Sequence, residues 1–360
     1  MALRWSSATA SRARFARAAG VAVMVSSMFF GAASVRAAED PAWAAFRAKF
    51  VMAEGRVVDF EDKKVSHTEG QGYGMLLAVA NDDRKTFDAL WNWTKANLSR
   101  KDDYLFSWAW RPDDKPHVKD KNDATDGDIL IAWALLRAGQ KWEVPEFVSA
   151  SRDIRGSIRD KLVKVIAGRT VLLPGAAGFH NKDQTEISLS YYIFPAFNEF
   201  AKDEPQGGWD KLAHDGVELI LDARYGRYVL SPDWIEISGK GELRIATQWP
   251  AQFGFGSVRV PLYLVWGGVS SMDIIGPYVN FWRGMAMQDK APPGWVDLYT
   301  GAYAPFEAPL GIRAIAAFVS GTPNVTMLGY SDKEPYYSAV LFLLSQLAYR
   351  ETMQAKLTPQ

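Results

Sequence analysis

Between Asp128 and Ala138 the chain is apolar on nearly every face of a helix. On a helix, Ile129, Ala132, Trp133 and Leu136 share one face, while Leu130, Ile131, Ala134 and Leu135 fill the others. A helix with no polar side has nothing to offer water and must be enclosed by other helices. Residues 337–349 repeat the pattern through Val340, Leu341, Phe342, Leu343, Leu344 and Leu347. Helix-like apolar spacing also runs over 86–98, 192–201, 209–221, 258–266, 309–319 and 334–350, with stops at Gly139, Gly321, Pro323 and Pro335. Enclosed helices inside amphipathic ones predict an all-α, double-layered helical barrel whose inner helices start at one shared end. Residues 170–173 and 227–230 are short apolar pieces suited to a hairpin or rim strands.

Two carboxylates, Asp126 and Asp128, stand at the mouth of the enclosed helix, where surface acids are out of place. A third acid, Glu69, sits in Ser66-His67-Thr68-Glu69-Gly70-Gln71-Gly72-Tyr73-Gly74-Met75. Convergent helix starts would bring these acids together for acid-assisted hydrolysis. A structural alternative stands beside each. Ser66-x-x-Glu69 also reads as a capping box, and Asp126 and Asp128 also suit a first helical turn, where the dipole favours an acid by about 0.3–1 kcal/mol. Against the capping reading, Gly70, Gly72 and Gly74 weaken a helix by roughly 1 kcal/mol each relative to alanine, which points to close backbone approach.

The 360 residues carry 41 basic against 41 acidic side chains, so no net field attracts a polyanion, and nucleic acid is not an expected partner. Arg4, Arg12, Arg14 and Arg17 precede an apolar run over 21–33, and Val35-Arg36-Ala37 supplies the small residues of a cleavage site. Residues 1–37 therefore read as a signal peptide, because the apolar run falls short of the roughly 20 residues that span a bilayer. An exported protein without a stable membrane anchor follows, with residues 38–360 as a single catalytic domain. The chain has no cysteine, so its core must hold it without disulfides. His67, His117, His180 and His214 are scattered, no metal-ligand spacing occurs, and neither a metal nor another cofactor is expected.

Ala124-Thr125-Asp126-Gly127-Asp128, followed by Ile129, Ala132, Ala138 and Trp142, and the segment around Glu69 together resemble glycoside hydrolase family 8, the inverting glucanases with an (α/α)6 barrel. Gly55-Arg56-Val57-Val58-Asp59, Trp108-Ala109-Trp110, Ser190-Tyr191, Ser231-Pro232-Asp233-Trp234 and Tyr336-Tyr337 extend the resemblance. It is nearest the endoglucanases that accompany bacterial cellulose synthesis. It implies a β-glucan substrate, the cellulose synthase export machinery as a partner, and Glu69 as the general acid, its pKa raised by burial. Asp126 would stabilise positive charge on the sugar ring or act as nucleophile. Tyr191 and Arg259 would orient water and sugar. A xylanase, a chitosanase or a glucan-binding protein with weak or lost turnover are the alternatives.

One position departs from the family pattern. In related cellulases an aspartate three residues before Arg259 activates the attacking water, and here that place is Gly256, with no Asp or Glu over 243–272. Gly256 thus reads as a vacancy, with Asp126, Glu242 and Asp273 as candidate substitutes. Sugar rings pack their C–H faces on aromatic rings, and Trp108, Trp110, Trp133 and Trp249 are the stacking candidates. Trp110 leads because the polar loop Arg111-Pro112-Asp113-Asp114 follows it. Trp108, Trp110, Tyr191, Arg259 and Asp128 make up the expected substrate-binding set.

Overall fold

A computed structural model describes residues 40–321 and 328–357, so the expected signal peptide lies outside the described residues. The helices are α1 (Pro41–Phe50), α2 (Thr68–Ala80), α3 (Arg84–Leu98), α4 (Thr125–Lys141), α5 (Pro145–Leu162), α6 (Phe194–Asp203), α7 (Trp209–Asp222), α8 (Arg259–Trp266), α9 (Met272–Ala286), α10 (Leu310–Val319) and α11 (Tyr336–Leu357). In the inner ring α2 packs on α4, α4 on α6, α6 on α8, α8 on α10 and α10 on α11, which returns to α2. Outside it, α3 lies on α2, α5 on α4, α7 on α6 and α9 on α8. The architecture is an (α/α)6 barrel with α4 enclosed in its inner ring, and enclosure is what the apolarity of that helix requires. Ile129 through Leu136 are completely buried, and so are Val340, Leu341, Phe342 and Leu344 of α11.

The strands sit on the rim. Ser66–His67 (β1) pairs with Ala109–Trp110 (β2), and Val163–Ile166 (β3) with Arg169–Leu172 (β4), each antiparallel. Ala167 and Gly168 both have positive φ, as the tight β3–β4 hairpin demands, so the hairpin expected at 170–173 is present. The expected piece at 227–230 forms only a turn closed by a Tyr225–Leu230 bridge. Gln184–Ile187 (β5), Ile235–Ser238 (β6) and Leu243–Ile245 (β7) form a three-stranded sheet, and Gln252–Phe253 (β8) pairs with Val296–Asp297 (β9). None of the helices among the described residues is long and apolar enough to cross a membrane.

The glycines of the two acid segments act through space rather than through φ. A Cβ on Gly127 would stand 2.1 Å from Thr68 Oγ1, 2.5 Å from Thr68 Cβ and 2.8 Å from the Glu69 amide nitrogen. One on Gly72 would stand 2.5 Å from Leu130 Cβ. Each helix therefore presents a bare backbone to a side chain of the other, and α2 and α4 approach more closely than any larger residue permits. Because Gly127 lies against the first turn of α2, this approach fixes the distance between the acids on either helix.

Candidate active site

The first turns of the inner helices build the site. Helix α2 is capped by His67, whose Nδ1 accepts the Gly70 amide at 3.0 Å, while Ser66 belongs to β1. Glu69 is thus released from the capping box that its sequence resembles, and its side chain turns toward α8. There Arg259, the first residue of the helix, donates from Nη1 to Glu69 Oε1, to Tyr73 OH at 3.0 Å and to Asp126 Oδ2 at 3.3 Å. Its Nη2 donates to Ser190 Oγ at 3.2 Å. Tyr73 OH also lies 3.3 Å from Glu69 Oε1 and 3.0 Å from Tyr263 OH. Tyr73 follows Glu69 by four residues and Tyr263 follows Arg259 by four, so each tyrosine shares a helix face with the charged group it supports.

The two carboxylates differ in depth. The side chain of Asp126 is 4% exposed and that of Glu69 is 18% exposed. Burial, followed by the neighbouring Glu69 charge, pushes the Asp126 carboxyl up to about 7 against the pull of Arg259. For Glu69, burial alone acts upward, but Arg259, His67 and the hydrogen bonds from Asp126 and Tyr73 outweigh it and hold the carboxyl below its ordinary value. This corrects the expectation of a raised Glu69 in the free protein. The pair titrates as a unit and holds one proton up to about neutral pH, mainly on Asp126, which leaves the cluster with Arg259 formally neutral.

Asp128 does not belong to this cluster. Two residues along an α-helix is a rotation of roughly 200°, so Asp126 and Asp128 cannot face the same site. Asp128 is fully buried on the opposite side, its Oδ1 accepts the Phe106 amide at 2.9 Å, and burial with Asp123 nearby raises it well above the usual carboxylate range. It ties the 106 loop to α4 and is not placed to bind substrate. Trp133 is likewise core, with no exposed surface, packed 5.1 Å from Trp266.

Trp108 and Trp110 flank the acid through the rim. The Thr68 amide donates to the Trp108 carbonyl at 2.9 Å, and Trp110 is paired with Ser66 in the β1–β2 register. Trp108 Nε1 is bonded to Asp120 at 2.9 Å, and the Trp110 ring has the Arg56 guanidinium 4.9 Å above it and the His117 ring 4.4 Å away. Tyr191 is half-buried with its edge toward Trp234, and its hydroxyl is raised by burial and by the Asp126 charge. Trp249 is 41% exposed and stacks 4.7 Å from Trp234, which in turn stacks 5.9 Å from Phe179.

Two candidate bases are misplaced. Glu242 is an exposed residue of the β6–β7 turn, and Asp273 is exposed in the first turn of α9 with its carbonyl accepting Arg224. Nor is the space at Gly256 vacant: a Cβ there would lie 3.2 Å from Asp233 Oδ1. Sequence reasoning had no separate signal for this contact, although Asp233 lies in one of the segments that carry the family resemblance. Tyr73 and Tyr263 had a readable signal in their four-residue spacing from Glu69 and Arg259. Among the described residues no group of three His, Cys, Asp or Glu is arranged to hold a metal ion.

Known proteins share this arrangement of helices. An endo-β-1,4-glucanase from an Achatina fulica gut metagenomic library superimposes with a TM-score of 0.82 at 39% identity, covering 87% of this chain and 98% of its own. The endo-β-1,4-glucanase CMCax from Acetobacter xylinum gives 0.82 at 39% identity over 86% and 97%. A probable endoglucanase of Novacetimonas hansenii is 39% identical over 311 residues, 86% of this chain and 90% of that protein. The sequence profile described as glycosyl hydrolases family 8 matches residues 14–351, and with relatives of this identity and coverage the chain belongs to that family and is a glycoside hydrolase.

Proposed function

We propose that this glycoside hydrolase is an exported endo-β-1,4-glucanase that cleaves internal bonds of cellulose or a related β-glucan with inversion, in the service of bacterial cellulose synthesis and its export machinery. The observation that carries the reading is the Glu69–Asp126–Arg259 cluster at the converging starts of α2, α4 and α8. Glu69 is the more exposed carboxyl and meets the glycosidic oxygen. When the sugar displaces water from it, the proton shared with Asp126 passes to Glu69 and then to the leaving oxygen. Asp126, now a carboxylate, faces the positive charge that develops on the ring. Arg259 neutralises whichever acid is ionised, and Ser190 and Tyr73, the latter bonded in turn to Tyr263, keep its guanidinium in place. Export follows from the N-terminal arginines and apolar run, and residues 38–360 act as one catalytic domain.

The test is reducing-sugar release from carboxymethylcellulose, xylan and chitosan, with product anomers read by NMR. Release from the β-glucan with an α-anomeric product supports the proposal. Preference for xylan or chitosan moves the substrate within the family. Retention on a glucan affinity gel without turnover would leave a binding protein in its place.

A further inference from the structure

An inverting hydrolase needs a second carboxylate on the water side of the sugar, about 6.5–9.5 Å from the acid, and the usual position for it is Gly256. We infer that Asp233, which reaches the same place from a different part of the backbone, is the general base of this enzyme. The assignment rests on the inverting-glucanase reading above.

Asp233 precedes β6, and its backbone amide donates to the Gln252 carbonyl at 2.9 Å. Its carboxylate lies inside the loop that leads into α8. Oδ1 accepts the Ser257 amide at 2.7 Å, Ser257 Oγ at 2.7 Å and the Gly254 amide at 3.1 Å. Oδ2 has a single partner, Gln252 Nε2 at 3.1 Å, and so keeps lone-pair capacity for a water. Both glycines of the loop make room for it. A Cβ on Gly254 would stand 2.8 Å from Asp233 Oδ2, and one on Gly256 would stand 3.2 Å from Oδ1 and 3.5 Å from Asp233 Cβ. With no Asp or Glu over 243–272, Asp233 is the carboxylate that this loop holds beside Gly256.

The backbone of Asp233 is also tied to the acid cluster. The Asp233 carbonyl accepts Ser188 Oγ at 3.3 Å, Ser188 Oγ meets Ser190 Oγ at 2.9 Å, and Ser190 Oγ accepts Arg259 Nη2 at 3.2 Å. Two hydroxyls thus join the backbone of Asp233 to the guanidinium that holds Glu69 and Asp126. Tyr337 is bonded to the Phe255 carbonyl at 2.6 Å in the same loop, and its hydroxyl feels the charges of both Glu69 and Asp233. In the reaction the water oxygen bonds to the anomeric carbon as the glycosidic bond breaks. Glu69 gives its proton to the leaving oxygen, Asp233 Oδ2 takes one from the water, and solvent returns that proton to Glu69.

The competing role is a structural one, with Asp233 merely organising the entrance to α8, and three variants separate the two. Asp233→Asn keeps an acceptor for Ser257 and Gly254. As a base variant it loses at least about a hundredfold in kcat on carboxymethylcellulose with KM changed less than about threefold. Asp233→Ala opens space for azide, which then attacks the anomeric carbon and yields an α-glycosyl azide, a product that a positioning residue cannot give. Asp233→Gly combined with Gly256→Asp returns the carboxylate from the other side of the loop and recovers turnover relative to Asp233→Gly alone. Activity of Asp233→Asn within about tenfold of wild type overturns the assignment and leaves the glucanase intact. So does a loss that neither azide nor the double variant restores. Wild-type protein that releases no reducing sugar from any β-glucan brings down the glucanase reading and, with it, the base.

Discussion

Gly127→Ala is the sharpest test of how the fold makes the site. The new Cβ would fall 2.1 Å from Thr68 Oγ1, and ordinary contact begins near 3.4 Å. Rotating the threonine does not clear the space, because Thr68 Cβ at 2.5 Å and the Glu69 amide nitrogen at 2.8 Å are also too close. The helices must part by about 1 Å at their first turns, where Glu69 and Asp126 sit. Overpacking of this kind costs about 1–3 kcal/mol of stability, and a displacement of about 1 Å at reacting groups costs on the order of a hundredfold in rate. The expectation is a drop of that size in kcat on carboxymethylcellulose, with a denaturant midpoint lowered but a cooperative transition retained. Turnover within about threefold of wild type and an unchanged midpoint would show that close α2–α4 approach does not place the acids. Gly284→Ala is the matched control, since nothing lies within 4 Å of the added carbon in α9. It should gain about 0.5–1 kcal/mol and leave kcat unchanged.

The acids themselves give further expectations. Glu69→Gln keeps the shape and loses the proton, so hydrolysis falls by at least about a hundredfold while retention on a glucan gel persists; turnover within about tenfold would return Glu69 to a structural role. Asp126→Asn loses at least about a hundredfold as well, whereas Asp128→Asn, at a buried group that points away from the site and can still accept the Phe106 amide, stays within about threefold. Equal losses in these two would refute the separation of the aspartates. Asp126 also carries a stability signature: its carboxyl is raised from 3.8 to about 7, so the folded state binds its proton more tightly than the unfolded chain. That contribution is complete below pH 3.8 and is lost as pH rises through about 7, a matter of a few kcal/mol at about 1.4 kcal/mol per unit. Urea titrations from pH 4.5 to 8 should show wild-type stability falling relative to Asp126→Asn; parallel curves would contradict the shift.

What the sequence reveals of this fold follows from what its residues must bury. Helices α4 and α11 are legible because apolar side chains on every face allow only an enclosed position. Helix α5 is harder to read, since Phe147, Ile154, Ile158 and Leu162 make one sparse buried stripe in a charged segment, and Pro277 interrupts the pattern of α9. The β5–β6–β7 sheet escapes altogether. Glu186 and Glu236 face each other across its register, and their burial is tolerated because Arg244, Thr247 and Trp249 donate to them from later in the chain. The site divides in the same way. Glu69, Asp126 and Arg259 stand at helix starts that must converge if the inner helices do, so their meeting is a consequence of the barrel. That Asp128 turns away follows from the helical period alone. The contact of Asp233 with Gly256 depends on two loops meeting in space, and no periodicity encodes it.

The position of the shared proton links this geometry to the catalytic cycle. Helix starts favour ionised acids, yet burial disfavours two negative charges around one guanidinium, so the pair keeps one proton. Depth decides where it rests: Asp126, 4% exposed, holds it, and Glu69, 18% exposed and against Arg259, stays ionised. A sugar in the cleft removes the water that still reaches Glu69, and loss of that solvation raises Glu69 relative to its free state. The total affinity of the pair for its proton therefore increases on binding. Since kcat/KM follows the free enzyme and kcat the substrate complex, the alkaline limb of kcat/KM should fall near pH 7, and that of kcat should lie at higher pH. Rate profiles on a soluble cello-oligosaccharide between pH 5 and 9 measure both. Coincident limbs would mean that substrate does not desolvate the pair, and the transfer of the proton from Asp126 to Glu69 would lose its driving force.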